Sequence, residues 1–224
     1  MANYAVDPAL LLPYLPSGLD LDYHSGNCFV SLVGFMFKNT QIFGTHIPFL
    51  GNFEEVNLRF YVTRMVGNEL KRGVVFLNET VPFGVVAWLA NTLYHERYRS
   101  VPTRHSIEIN ADTKDVQYKW KQGSEWYNIG VRTSNQTDEI AIGSMEEFIF
   151  EHYYGYSQIS ESATLEYRVN HPRWQINEVK DYEINCSFGK IYGDDFRCLN
   201  DQKPTNIFLA VGSNVSVDWK KERF

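Results

Sequence analysis

The stretch Phe53–Val62, which reads FEEVNLRFYV, decides the fold. Apolar and polar residues alternate along it, and a period of two is the pattern of a β-strand. We therefore predict a strand over residues 53–62 with one face in a hydrophobic core. The apolar face would carry Val56, Leu58, Phe60 and Val62.

The other face of this strand carries four polar side chains: Glu55, Asn57, Arg59 and Tyr61. An acid, an amide, a guanidinium and a phenol together are more typical of a pocket or a buried network than of a solvated surface. Arg59 can hold a carboxylate in a bidentate pair, with Glu55, Glu79 or a ligand as its partner. A ligand site and a structural brace both produce this pattern, so both interpretations stay open.

The composition indicates one domain and no nucleic-acid partner. The 224 residues are 44% hydrophobic and 15% aromatic, which suffices for a large core. No linker or repeat divides them, so we predict a single domain over residues 1–224. The net charge of −6 argues against a nucleic-acid binder. No apolar run of about 18 residues indicates a membrane span.

The cysteines and histidines indicate the cellular compartment and whether a metal site is expected. The three cysteines have no Cys-x-x-Cys spacing, and the N-terminus has no secretory pattern, so we expect a cytoplasmic protein. The six histidines are scattered, so no metal site is predicted. Phosphate loops and nucleophile-elbow motifs are absent from the sequence, so we expect no cofactor. The sequence leaves open whether the protein forms a homo-oligomer.

Local signals predict two or three helices. Asp7 is a favourable N-cap for a short first helix. Residues 85–94 carry apolar side chains at helical spacing. Ser144 and Glu147 form a capping box for a further helix, which we expect to end near Gly155.

Alternating or continuous apolar runs predict the remaining elements as strands. Residues 38–52 read as a long loop, which in a compact domain is often functional. Many strands with an inward-facing polar stripe favour a mainly β fold, an antiparallel barrel or cone. The predicted strands after residue 24 are 28–37, 53–62, 73–78, 106–111, 116–122, 125–132, 165–169 and 206–219.

A second candidate site is the segment LYHER, residues 93–97. Histidine is a common acid/base residue in active sites, and His95 and Glu96 follow a predicted helix from which they can reach back to the polar strand face. A solvated helix end is the alternative, and we favour it for Arg97, because basic side chains stabilise the negative pole of a helix.

Several motifs occur in an order that resembles the YqjF-like family of uncharacterised bacterial proteins. The resemblance covers nearly the whole chain. Members of that family usually have a further strand upstream of the YAVDP segment, so we expect that strand to be truncated or absent here. The motifs are YAVDPALLLPYLPSGLDLD (4–22), FEEVNLRFYV (53–62), GVVFLNE (73–79), LYHERY (93–98), SMEEFIFEHYYGYS (144–157) and NHPRWQI (170–176).

That family looks related to the acetoacetate decarboxylase superfamily, which implies an antiparallel β-barrel or cone. The decarboxylase uses a Schiff-base lysine activated by a second lysine. The resemblance places Glu96 and Arg97 at the two lysine positions and His95 at a preceding proline, so the nucleophile is missing. Among other lysines, Lys38 and Lys190 follow apolar residues and are the candidates for a lowered pKa.

Three hypotheses follow. The first is a protein that binds a small anionic or carbonyl-containing molecule in a polar barrel interior, with His95 or Glu55 as the acid/base group. The second is a Schiff-base lyase or decarboxylase, and the third is a non-catalytic interaction module. The first predicts converging side chains, and the third predicts a network paired only with itself. The predicted ligand-binding residues are Glu55, Asn57, Arg59, Tyr61, Glu79, Tyr94 and Glu96.

Overall fold

The computed structural model describes residues 1–42, 45–46 and 50–224, and within these residues the protein is mainly β. The α-helices are α1 (Pro8–Leu11), α2 (Gly84–Tyr94), α3 (Met145–Phe150) and α4 (Phe188–Tyr192), and 3₁₀ turns cover Leu12–Tyr14 and Asp194–Asn200. The strands are β1 (Ala2–Val6), β2 (Asp20–Leu21), β3 (Cys28–Phe37), β4 (Gln41–Ile42), β5 (Thr45–His46), β6 (Phe53–Val66), β7 (Glu69–Val81), β8 (Tyr98–Ser100), β9 (Thr103–Ile109), β10 (Thr113–Gln122), β11 (Glu125–Glu139), β12 (Tyr154–Ser160), β13 (Ala163–Asn170), β14 (Gln175–Asn185), β15 (Asn206–Ile207), β16 (Leu209–Ala210) and β17 (Ser216–Arg223).

Two large sheets form the body of the molecule. A ten-stranded sheet has the order β15-β1-β3-β6-β7-β12-β13-β17, with β2 added to β6 and β8 added to β7. A five-stranded sheet has the order β16-β14-β11-β10-β9. Pairing is antiparallel except where β7 meets β12 and β8. The predicted mainly β, antiparallel class is confirmed, and across the described ranges the two sheets stay open instead of closing into one hydrogen-bonded ring.

The stretch Phe53–Val62 lies at the centre of the large sheet. Strand β6 pairs with β3 on one side and β7 on the other, and it continues four residues beyond the predicted end at Val62. Its apolar face is fully buried, with Leu58 and Phe60 each 0% exposed. This face belongs to the same core as Val116 and Trp120 of the five-stranded sheet. The main core therefore lies between the two sheets.

The capping signals place the helix starts correctly. Asp7 Oδ1 accepts from the Ala9 amide at 2.8 Å and begins α1. Helix α2 covers the predicted residues, with one more at its start. Ser144 Oγ accepts from the Glu147 amide at 3.1 Å, as expected for an N-cap.

The predicted end of the third helix near Gly155 is wrong, because α3 stops at Phe150 and strand β12 begins at Tyr154. Gly155 lies within β12, opposite Tyr167 of β13. A Cβ on Gly155 would lie 2.1 Å from the Tyr167 ring. The glycine therefore permits close packing of that ring across the strand pair and does not mark a helix terminus.

Other differences arise from long-range pairing. The strand predicted over residues 206–219 is three short strands with different partners: β15 pairs with β1, β16 with β14 and β17 with β13. Strands β1, β12 and β14 and helix α4 were not predicted, and the YAV residues of the YAVDP motif form part of β1. The predicted loop 38–52 includes the short strands β4 and β5, and part of it lies outside the described residues. Within the described ranges, none of the helices has the length and apolar character needed to span a bilayer.

Candidate functional site

The polar face of β6 is buried. Glu55 and Asn57 are each 2% exposed and Tyr61 is 1% exposed, whereas Arg59 is half-buried. A solvated stripe is therefore excluded for these residues. Their contacts divide into two groups, one on either side of Arg59.

The first group is a cluster of three buried glutamates, here called the acid cluster: Glu55, Glu79 and Glu96. Glu79 lies on β7 directly opposite Asn57 of β6, and Tyr98 of β8 lies opposite Glu79 on its other side. Glu96 follows α2. The three glutamates are 2%, 2% and 8% exposed, respectively. Adjacent strands thus bring together carboxyls that are far apart in the sequence.

Hydrogen bonds fix the acid cluster incompletely. Glu55 Oε1 accepts from Asn57 Nδ2 at 2.9 Å, and Glu55 Oε2 accepts from the Tyr98 hydroxyl at 2.9 Å. Glu96 Oε1 accepts from the Tyr167 hydroxyl at 2.5 Å. Among the described residues, the buried Glu79 Oε2 has no hydrogen-bond partner. A buried carboxyl oxygen with no donor is costly, so the network is not fully satisfied by itself.

Burial makes all three carboxyls weak acids. Desolvation raises the pKa of Glu55 to about 7 and that of Glu96 to about 8. Desolvation also raises the pKa of Glu79 well above its usual range, and the nearby Glu96 and Glu55 charges add to this shift. Near neutral pH the acid cluster therefore holds protons that it can donate and take back.

Arg59 forms no ion pair with any residue in the described ranges, Glu55 and Glu79 included. Its Nε is buried and has no hydrogen-bond partner within the part of the chain that the structure describes. The guanidinium carbon lies 5.7 Å from the centroid of the Tyr61 ring. Burying an unpaired guanidinium costs free energy, which a bound anion would offset.

The second group surrounds Tyr61 and was not predicted from the sequence. The Tyr61 and Ser31 hydroxyls are 2.6 Å apart, and Ser31 Oγ donates to Asn3 Oδ1 at 2.5 Å. The Tyr61 ring packs 4.7 Å from the ring of His152. Since these partners come from strands β1 and β3 and from the segment after α3, only the folded chain brings them together.

His152 is a neutral, buried histidine. Its Nε2 lies 3.0 Å from Asp22 Oδ2, which also accepts from Arg72 Nε at 2.7 Å. Burial lowers the pKa of His152 to about 4. Its Nδ1 is buried and finds no hydrogen-bond partner among the described residues. His152 lies in the motif SMEEFIFEHYYGYS (144–157), but nothing in that motif indicates that its histidine would pair with a distant aspartate.

The LYHER segment is divided between the interior and the surface. His95 is exposed and ends α2 in the left-handed region, with φ of 54°. Glu96 is buried, and both residues border a narrow cleft with about 10 Å³ of free volume, the room of roughly one water molecule. Tyr94 packs edge-on against Tyr167, with ring centroids 5.0 Å apart. Of this segment, Glu96 joins the acid cluster and Tyr94 borders it through Tyr167.

The lysines are arranged differently from the prediction. Lys190 is exposed, and its hydrogen bond to Glu125 raises its pKa, so the expected lowering is wrong. Lys38 is exposed. Desolvation lowers the pKa of Lys221 instead. Its Nζ lies 4.1 Å from the centroid of the Tyr94 ring and donates to the Leu93 carbonyl.

No group of three metal-ligating side chains is arranged to hold a metal ion in the part of the chain that the structure describes.

Solved structures with the same fold define the class of protein. The enduracididine biosynthesis enzyme MppR complexed with pyruvate matches with a TM-score of 0.61 and 14% identity, over 87% of this chain and 76% of that one. An acetoacetate decarboxylase-like enzyme from Sphingomonas wittichii RW1 matches with a TM-score of 0.58 and 12% identity, over 100% of this chain and 86% of that one. The chain therefore has the acetoacetate decarboxylase-like fold.

The family assignment is more specific. Residues 1–214 match the family model DUF2071, described as an uncharacterized conserved protein, and the chain belongs to this family. The uncharacterized protein YqjF of Bacillus subtilis (strain 168) is 26% identical over 186 residues, which are 82% of this chain and 74% of that protein. The resemblance stated from the sequence motifs is confirmed.

Proposed function

We propose that this chain binds a small 2-oxo acid, a molecule with a carboxylate beside a carbonyl group, between Arg59 and the acid cluster. The observation that carries the proposal is the half-buried guanidinium of Arg59, which has no anionic partner in the described ranges. A ligand carboxylate would supply the bidentate partner that the fold leaves out.

The protonated acid cluster makes an anionic ligand acceptable. Three ionised carboxylates beside Arg59 would repel a negative ligand. Because burial raises the pKa of Glu55 to about 7 and that of Glu96 to about 8, these groups are largely neutral below those values. The positive charge of Arg59 then dominates the local field.

Proteins of the same fold support this ligand class. MppR has been seen complexed with pyruvate and with the condensation product of pyruvate and imidazole 4-carboxaldehyde. Pyruvate has the carboxylate and the carbonyl that Arg59 and a protonated glutamate can bind. The fold likeness supports the proposed ligand class, and the residues of this chain suggest the contacts.

Glu55 is the acid/base group of the proposal. Near its pKa of about 7 a fraction of Glu55 is ionised, and this carboxylate can take a proton from carbon and return it while Glu96, with a pKa of about 8, stays largely protonated. A Schiff base is not part of the proposal, because Glu96 and Arg97 stand at the two lysine positions of the resembled decarboxylase. His95 is left out because its side chain is exposed.

A structural brace is the second candidate function. The hydrogen bonds of Glu55 to Asn57 and Tyr98 favour it, since the bond to Tyr98 connects β6 to β8 across β7 without a ligand. In that case, the acid cluster would specify the packing of the strands and bind nothing.

Calorimetric titration with pyruvate separates the two candidates. We expect binding to the unmodified chain and a loss of about tenfold or more for Arg59→Met, the size of a charged hydrogen bond. Arg132→Met is the matched control, since Arg132 is exposed and pairs with Asp115 on the five-stranded sheet. If pyruvate and larger 2-oxo acids fail to bind while Arg59→Met only lowers stability, the brace is correct.

The acid/base role has its own readout. In D₂O, a base at Glu55 would exchange the methyl protons of pyruvate for deuterium, which NMR detects. Glu55→Gln should abolish the exchange while Arg59 still binds pyruvate. Unchanged exchange in Glu55→Gln would assign the base to another residue.

A further inference from the structure

Strand β9 is a free edge of the five-stranded sheet. It pairs with β10 on one side, and within the described residues no strand pairs with its other side. Residues 104–109 are all exposed. A seven-residue strand with an open row of amide and carbonyl groups is a template for pairing with another strand.

The inward face of this edge begins with Thr103 and His105, which hydrogen-bond to Glu54 of β6, and ends with the apolar side chains of Ile107 and Ile109. Ile107 lies opposite Val116, a core residue of β10 that is 6% exposed. Yet Ile107 is 38% exposed and Ile109 is 68% exposed. The apolar surface of the sheet therefore continues beyond the core and ends at an edge where the described chain provides no cover.

The outward face of the same edge carries two opposite charges. Arg104 and Glu108 are four residues apart on one strand and so point to the same side. Arg104 lies over the Trp126 ring, 4.7 Å from its centroid, which holds it on the outer face. Within the described ranges, neither residue forms an ion pair.

We propose that β9 is a homodimer interface, where it pairs antiparallel with β9 of a second copy about a two-fold axis through Ser106. Residues directly opposite each other in an antiparallel pair lie on the same face of the sheet. The two-fold axis must therefore place one residue opposite its own copy, and it cannot lie midway between two consecutive residues. An axis at Ser106 places Arg104 opposite Glu108 of the second copy, twice. This register pairs both charges and makes one continuous ten-stranded sheet from two five-stranded ones.

The charges favour a second copy over another kind of partner. Natural edges that avoid pairing usually carry lysine, proline or an inward-pointing charge. Here Arg104 and Glu108 are of opposite sign, point outward and are spaced symmetrically about Ser106, so the strand is complementary to itself. The inward-facing His105 is already bonded to Glu54 of its own chain. Cross-strand pairs of opposite charge stabilise such an edge, whereas like charges directly opposite destabilise it.

Charge reversal tests the interface by sedimentation analysis over a concentration series. We expect the unmodified chain to dimerise, Arg104→Glu and Glu108→Arg each to be monomeric, and the double variant to dimerise again. Lys180→Glu reverses an exposed charge on β14 and should keep the dimer. A monomeric unmodified chain, dimers in both single variants, or a folded but monomeric double variant would each overturn the proposal.

A cysteine at the axis tests the register. Opposite Cα atoms in an antiparallel pair lie about 4.5–5.5 Å apart, within the range of a disulfide. Ser106→Cys, with the exposed Cys198 replaced by serine, should form a disulfide-linked dimer on mild oxidation. Lys180→Cys in the same background should not. The absence of a link from position 106 would contradict the two-fold register, whatever the charge variants do.

Discussion

The Tyr98 hydroxyl of β8 donates to Glu55 Oε2 of β6 at 2.9 Å, across the strand β7 that lies between them. The bond links β6 to β8 through one buried carboxyl. Because Glu79 on β7 lies opposite both Asn57 and Tyr98, a second carboxyl occupies the same small region. Crowding and burial, more than any single partner, determine the electrostatics of this face.

Glu55→Gln should change how stability depends on pH. The pKa of Glu55 rises from its usual 4.5 to about 7 on folding. Between these values the folded state holds a proton that the unfolded state has lost, so the unfolding free energy decreases as pH rises. The contribution is on the order of 3 kcal/mol, at 1.36 kcal/mol for each pKa unit. Urea unfolding from about pH 5 to pH 8 measures it.

The glutamine variant should flatten this slope and be the more stable protein near pH 8, because glutamine cannot ionise. Glu178→Gln is the matched control, since Glu178 is exposed and pairs with the exposed Lys180. Equal slopes for Glu55→Gln and the unmodified chain would show that Glu55 is ionised in the folded state.

Tyr167→Phe should weaken the acid cluster from its other side. It removes the hydroxyl that donates to Glu96 Oε1 at 2.5 Å and leaves a buried acceptor unpaired. We expect a loss of about 1–3 kcal/mol in stability. Because that hydrogen bond lowers the pKa of Glu96, the variant should raise it further above about 8. Carbon-13 NMR of the glutamate carboxyls measures the shift, and Tyr153→Phe, which removes a donor to the less buried Glu151, should not produce it.

His95→Gly should stabilise the protein. His95 adopts φ of 54° and ψ of 31° at the end of α2, a conformation that costs a non-glycine residue about 1 kcal/mol. Thermal unfolding should therefore give a higher midpoint for the variant. Pyruvate binding should not change, because the imidazole is exposed. Weaker pyruvate binding in a well-folded His95→Gly variant would show that His95 contributes to the binding site.

Pyruvate binding should weaken as pH rises. The neutral carboxyls of Glu55 and Glu96 accept an anion beside Arg59, whereas their ionised forms repel it. As pH passes through about 7 and about 8, the two groups ionise and affinity should fall. Titrations at about pH 6 and about pH 9 measure the difference, which Glu55→Gln should reduce. Affinity that is constant across this range would contradict a protonated acid cluster.

Local signals in the sequence determined much of the fold. The alternation in 53–62 placed β6 and its buried face, and Asp7 and Ser144 placed two helix starts. The ends of elements were less accurate: a helix was expected to reach Gly155, which the structure places in a strand. Packing against Tyr167 determines the strand conformation of Gly155, and no pattern in the neighbouring sequence indicates this long-range contact.

By itself, the sequence determined that Glu55, Asn57, Arg59 and Tyr61 share one face of a strand, because side-chain alternation is a property of the local backbone. The sequence also raised the hypothesis that Glu96 reaches this face. Only the tertiary structure decided that Tyr98 joins it, that Tyr61 meets Ser31 and His152, and that Arg59 has no ion-pair partner in the described ranges. The reason is physical: pairing of distant strands fixes which side chains are neighbours, and burial among those neighbours sets their charge states. Neither property is encoded within a short stretch of chain.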